Sequence, residues 1–119
     1  MNEQELVEKT AVFKALSDPN RLRIFGELMN GDSCNCELKD KLGLAANLLS
    51  HHLKVLEKAG LVNSRRDVID GRWIYYAANS DTIMQWHSWL TTFFDPTRIQ
   101  ERALCGPEGG MCEVEAVIV

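Results

Sequence analysis

Between Leu38 and Ala78 the apolar spacing changes once, and that change limits the fold more than any other feature of the chain. Up to Gly60 the apolar residues recur every three or four positions. Leu38 and Leu42 lie one turn apart, Gly43 punctuates, and a longer run starting at Ala46 places Leu49, Leu53 and Leu56 on one face with Val55 at its edge. Asn47, Ser50, His51, Lys54 and Glu57 fall on the other face. After Gly60 the period drops to two. Residues 61–69 and 72–78 are rich in Val, Ile, Trp and Tyr, and Asp70-Gly71 between them has the pattern of a two-residue hairpin turn. A short helix, a tight glycine turn, a longer helix and a hairpin make a helix-turn-helix followed by a β-wing. The second helix of such a pair is the one expected to enter a DNA major groove.

The flanking segments are helical by the same criterion. Leu6, Val7, Ala11, Phe13 and Leu16 predict an amphipathic helix over 3–16. Asp18 then offers a side-chain acceptor and Pro19 a fixed φ, so a second helix runs over 19–29. Its apolar set is Leu22, Ile24, Phe25, Leu28 and Met29, with Arg21, Arg23 and Glu27 toward solvent. The short helix of the pair is expected over 33–42. Ser80 and Asp81 cap a last helix over 82–94 that carries Ile83, Met84, Trp86, Trp89, Leu90, Phe93 and Phe94, and Pro96 ends it. The expected fold is therefore mainly α with a small β-hairpin wing, an α+β winged helix-turn-helix. Residues 1–94 form the DNA-binding and dimerisation domain, and 95–119 a cysteine-containing tail with little core of its own.

Charge at first argues against a nucleic-acid partner, because the 119 residues carry 13 basic and 17 acidic side chains, a formal net charge of −4. Resolved by segment, the inference reverses. Lys39, Lys41, Lys54, Lys58, Arg65, Arg66 and Arg72 stand against Asp40, Glu57, Asp67 and Asp70, so the reading segment is +3 and the remainder −7. Steering toward phosphates follows the local field more than the total. No apolar run approaches the ~20 residues of a membrane span, and the acidic start MNEQELVEKT does not resemble a signal peptide, so a cytoplasmic protein is expected. In that reducing compartment the four cysteines read as thiols available to metal or redox chemistry.

The segments SDPNRLRI, CNCEL, LLSHHLKVLEKAGLV and DGRWIYY together resemble the ArsR/SmtB family of metal-sensing winged-helix repressors, over about residues 6–94. The resemblance implies a homodimer built on the first and last helices, bound to a promoter and released by its inducer. The residues agree: Trp86, Trp89, Leu90, Phe93 and Phe94 spread apolar surface around more than one face of the last helix, which a second subunit would cover. Phe13, Trp86, Trp89, Leu90 and Phe93 are the expected interface. Two recognition helices related by a two-fold axis suit pseudo-palindromic double-stranded operator DNA. Asn47, Leu48, Ser50 and His51 are expected near base edges, and Lys54, Arg65, Arg66 and Arg72 at phosphates or the minor groove. Leu48 either packs on a thymine methyl or closes the turn, and His52 is expected to pack within the fold.

Cys34-Asn35-Cys36 is the most informative chemical feature. Two residues apart in a regular helix means a rotation of ~200°, so both thiols converge on one ion only if the segment lies at a non-helical N-terminus, which Gly31, Asp32 and Ser33 permit. A helix N-terminus also favours the thiolate. Family members that sense arsenite, and others that sense cadmium and lead, carry Cys-x-Cys at this place. The arsenite pattern often adds a third cysteine three residues on, where this chain has Lys39, so the resemblance leaves Cys105 and Cys112 of the CGPEGGMC stretch as candidates for further ligands, from the same subunit or its partner. Thiolates suit soft ions: three suit arsenite or antimonite, four suit cadmium or zinc, and lead is also compatible. An alternative input is a disulfide or persulfide bridge between a helix cysteine and a tail cysteine. Asp81 and His87 stand where the family can carry a histidine-carboxylate zinc site, but no second histidine follows, and His87 is expected at an interface or in the core. No P-loop, Gly-x-Ser-x-Gly or metal-linked carboxylate pair points to an enzyme, nor does anything point to an organic small-molecule substrate or cofactor.

Overall fold

The computed structural model describes residues 1–107. Helix α1 (Glu3–Leu16) leads through Ser17 and Asp18 to α2 (Pro19–Leu28), then to a two-residue strand β1 (Ser33–Cys34), α3 (Asn35–Leu42), α4 (Ala46–Lys58), strands β2 (Val62–Arg66) and β3 (Ile74–Ala78), α5 (Ser80–Phe93) and a single 3-10 turn (Pro96–Arg98). Met1–His87 forms one compact unit, and the described residues from Ser88 on belong to a second. Among the described residues no helix is long and apolar enough to cross a membrane.

Local chemistry sets the helix starts. Asn2 Oδ1 accepts from the Glu5 N–H at 2.7 Å, and Glu3 and Glu5 place negative charge on the first turn of α1. Asp18 Oδ1 accepts from the Asn20 and Arg21 N–H groups at 2.8 and 3.1 Å, with Pro19 at the first position of α2. Those donors, the Arg21 N–H foremost, hold the Asp18 carboxyl below its usual range. Gly43 ends α3 with φ +65°, a conformation that costs a side-chain-bearing residue, and its N–H bonds the Lys39 carbonyl at 2.9 Å.

The core joins α1, α2, α3, α4 and the sheet: Val12, Ile24, Leu28, Leu38, Leu49, Leu53, Leu56, Leu61, Val62 and Tyr76 are buried together, with Ile83 and Trp86 packed against them. The sheet has the order β1-β3-β2 and is antiparallel throughout. Ser64 pairs with Tyr76 and Arg66 with Ile74 across the wing, while Cys34 pairs with Tyr75 on the other edge of β3.

Several boundaries and faces depart from the sequence expectation. The third helix begins at Asn35, because Ser33 and Cys34 are drawn into the sheet by pairing with β3, a contact no local pattern encodes. Leu22 and Met29, expected in the core, are more than half exposed; Ile24 and Leu28 are buried, with Phe25 packed against the core beside them. The hairpin turn is not the two-residue kind, which requires positive φ at both Asp70 and Gly71, and neither has it. A longer loop joins the strands instead. Asp67 Oδ2 accepts from the Ile69 and Asp70 N–H groups at 3.0 and 2.9 Å, and the Asp67 N–H reaches the Trp73 carbonyl at 2.8 Å. The last helix begins at Ser80 and is capped by Asn79, whose Oδ1 accepts from the Thr82 N–H at 3.4 Å, so Ser80 and Asp81 lie inside it. His87 is exposed, outside the chain's own core.

Candidate nucleic-acid interface and cysteine site

Helix α4 is anchored by Leu49, His52, Leu53 and Leu56, and this sets its opposite face toward solvent. Asn47, Leu48, Ser50, His51 and Lys54 are all exposed there. His52 is 5% exposed, and its Nδ1 lies 3.3 Å from Arg21 Nη1. A guanidinium only donates, so Nδ1 is the acceptor and the ring proton sits on Nε2. Arg21 Nε donates to the Ala15 carbonyl at 2.7 Å, so a single half-buried side chain links α1, α2 and the reading helix. Arg21 was expected in solvent. The legible hint was its place three residues after a capping aspartate, although its partner His52 is 31 positions away.

The wing lies alongside. Leaving α4 through Gly60, whose φ is +82°, β2 runs back past the helix, and Ser64 Oγ donates to Glu57 Oε2 at 3.2 Å. Ile74, where β3 leaves the wing loop, lines a common cleft with Ala46 and Ser50 of the first turns of α4. The root of the wing loop therefore lies beside the end of α4 that carries Asn47, Ser50 and His51. Arg65 stacks over the Tyr75 ring at 4.4 Å, and Arg66 Nη1 donates to the Gly71 carbonyl at 2.6 Å; both keep their charge exposed. Arg72 differs. Its Nη2 and Nε grip the Asp70 carboxylate at 2.7 and 3.0 Å, which lowers the pKa of Asp70 and raises that of Arg72. Its charge is already paired on the wing surface.

Cys34 and Cys36 are both free thiols, and the backbone separates them. Cys34 has extended φ and ψ of −81° and 163° as the residue before α3, is 5% exposed, and donates to Glu37 Oε1 at 3.3 Å. Cys36 stands exposed in the first turn of α3. The segment is thus non-helical at Cys34, as a shared ion would need. Cys36 lines the same cleft of about 270 Å³ as Asn35, Lys39, Ala46, Ser50 and Tyr76, so the cysteine helix and the reading helix share a wall. Asn35 Oδ1 is buried in the structure without a hydrogen-bond partner. Among the described residues no three His, Cys, Asp or Glu side chains converge as a metal site. The donor types fit a soft ion, but two thiols fall short of three or four ligands. Cys105 is disulfide-bonded, against the expectation of four thiols, and Cys112 lies outside the described residues.

The apolar residues of the expected interface stand as follows. Phe13 is 46% exposed and meets the Trp86 ring edge-on at 5.3 Å, while Lys9 Nζ lies 4.5 Å over that ring. Further along α5, Trp89 stacks on Phe93 at 4.6 Å, Phe93 is exposed and Leu90 is half-buried. Not one residue of α5 is fully buried.

A solvent-facing helix set by a glycine turn beside an arginine-bearing antiparallel wing defines a winged helix-turn-helix DNA-binding module. Residues 18–64 match the model described as bacterial regulatory protein, arsR family. The chain is 40% identical over 83 residues to an HTH-type transcriptional regulator of Methanocaldococcus jannaschii, covering 68% of this chain and 90% of that protein. It is 38% identical over 72 residues to the arsenical resistance operon repressor of Bacillus subtilis, covering 60% of this chain and 66% of that one. With the cadmium resistance transcriptional regulatory protein CadC of Listeria innocua it shares 40% identity over 65 residues, 54% of this chain and 52% of that protein. Among solved structures, HlyU from Vibrio cholerae superposes with a TM-score of 0.64 at 26% identity, covering 78% of this chain and 98% of that one. The chain belongs to the ArsR family of transcriptional regulators. Its members are DNA-binding transcriptional regulators and not enzymes.

Proposed function

We propose that this chain acts in the cytoplasm as a homodimeric repressor on a pseudo-palindromic operator and leaves it when a soft ion, arsenite or antimonite, binds Cys34 and Cys36. The observation that carries this reading is the shared cleft, since Cys36 lines it together with Ala46 and Ser50 of the reading helix. Thiolate donors select soft ions over magnesium, calcium or manganese, and the likeness to an arsenical resistance repressor favours the trivalent metalloid. Cys105, once reduced, or Cys112 would supply the further thiolate. Cadmium or lead, and zinc with all four thiolates, are the alternative ions, supported by the likeness to CadC.

Asn47, Leu48, Ser50 and His51 read base edges in this scheme, and Lys54, Arg65 and Arg66 hold phosphates. Arg72 contributes mainly by bracing the wing through Asp70. Phe13, Trp86, Trp89, Leu90 and Phe93 form the dimer contact that sets the spacing of the two reading helices. Release requires the ion to bind the DNA-free conformation better than the DNA-bound one, and a coupling of ~3 kcal/mol lowers affinity about 150-fold. A second input is thiol redox or persulfide sensing, for which the supporting observation is that Cys105 is disulfide-bonded.

The test is fluorescence anisotropy on a labelled duplex selected from a random pool by the full-length protein. Under reducing conditions at neutral pH, arsenite releases the duplex in the proposed reading. If arsenite and cadmium both leave the complex intact, ion sensing is wrong; release by peroxide alone selects the redox reading.

A further inference from the structure

Val68 and Ile69, at the tip of the wing loop, are 99% and 96% exposed, the most exposed large apolar side chains of the described chain. An aliphatic pair left wholly in water is unfavourable in the free protein, and a slack loop would fold it back. This loop is not slack. The Asp67 carboxylate accepts from the backbone of Ile69 and Asp70, Arg66 clamps the Gly71 carbonyl, Arg72 grips Asp70, and the Trp73 N–H bonds the Asp70 carbonyl at 3.1 Å. Each residue flanking the pair is tied down while the pair itself is held outward.

The surroundings say what the pair meets. Ile74, where β3 leaves the loop, lines one cleft with Ala46 and Ser50, so the root of the loop lies beside the first turns of the reading helix. The loop is flanked by the exposed cations of Arg65 and Arg66, while the two nearby carboxylates are occupied, Asp67 by backbone donors and Asp70 by Arg72. Cations beside an apolar point match the minor groove, where arginines seek the enhanced negative potential and aliphatic wedges enter between base pairs.

We propose that Val68 and Ile69 are an apolar wedge that inserts at a flexible pyrimidine–purine step of the minor groove and bends the operator. The inference rests on the DNA-binding reading of this family member. It adds a contribution to specificity at base pairs that the reading helix does not touch, because the cost of unstacking depends on the step. Such a contribution is apolar and so independent of salt, unlike those of Arg65 and Arg66.

The experiment uses the full-length protein and a duplex that it selects from a random pool, with donor and acceptor dyes at the duplex ends to report bending and 2-aminopurine at steps flanking the reading-helix contacts to report unstacking. Wild type is expected to bend the duplex and brighten 2-aminopurine at one step per half-site. The double variant Val68→Ser, Ile69→Ser is expected to lose both signals and about tenfold in affinity, with the slope of affinity against salt unchanged. Its unfolding temperature stays at the wild-type value, since neither side chain packs on the core. A double variant that binds, bends and unstacks like wild type overturns the wedge while leaving the repressor reading intact. A wild-type protein that selects no duplex removes the DNA-binding reading itself.

Discussion

Helices α4 and α5 are nearly equal in length, 13 and 14 residues, yet four residues of α4 are buried and none of α5 is. The difference runs against composition, because α5 carries two tryptophans and a phenylalanine while the outer face of α4 carries His51, Lys54 and Lys58. Helix α4 finds cover within its own chain, since α1, α2, α3 and β2 all pack on it. Its polar face is then free to meet DNA. Helix α5 places Ile83 and Trp86 against that core, yet none of its residues is fully buried. One helix is finished by folding and the other, on our proposal, by a second subunit.

The largest effect is expected where α4 is sealed. Leu53, 1% exposed among core side chains, should cost about 2–5 kcal/mol when replaced by alanine, read as a lower midpoint in urea unfolding at fixed protein concentration. The matching change on the exposed face, Leu48→Ala, should leave the midpoint in place, and a comparable loss there would break the contrast. On the other helix, Leu90→Glu should convert dimer to monomer in sedimentation equilibrium and weaken duplex binding by at least about tenfold, because one half-site contact is lost. A dimer that survives Leu90→Glu and Phe13→Glu together would mean that α5 is covered in another way.

Smaller effects sharpen the picture of the DNA-facing side. Arg66→Ala should weaken duplex binding and lower the salt slope by about one, while Arg72→Ala, whose guanidinium is paired with Asp70, should change the slope less. The smallest is the acid response of α2. The folded Asp18 carboxyl titrates below its usual value of 3.8, so its contribution to stability is present above that value and disappears as pH falls through the lower, folded one. Asp18→Asn keeps a capping oxygen but cannot titrate. Its unfolding temperature should therefore fall less than that of wild type between about pH 5 and about pH 2.5.

The helices were legible in the sequence because their signals are local. The 3.6 period of Leu49, Leu53 and Leu56, the Asp18-Pro19 start and the Gly43 stop each act within a turn or two. What was not legible depends on residues far apart. Ser33 and Cys34 become a strand only because β3 offers an edge some forty positions later, and the wing loop takes its length from the Asp67 side chain and not from Asp70-Gly71. The Arg21 to His52 contact belongs to the same class. For the cysteines, the spacing named the chemistry and the need for a non-helical position, while the pairing of Cys34 with Tyr75 supplied that position. Exposed apolar residues divide similarly: the period of α5 announced surplus surface, whereas Val68 and Ile69 stood in a run that read as ordinary strand.

The most direct test compares wild type with the Cys34→Ser, Cys36→Ser double variant, each prebound to its selected duplex in reductant and titrated with arsenite while anisotropy is followed. Wild type should release the duplex, with affinity lowered about 150-fold, and the double variant should hold it at every concentration that leaves its fold intact. Release from the double variant at the wild-type arsenite concentration would contradict the assignment of Cys34 and Cys36 as the switch.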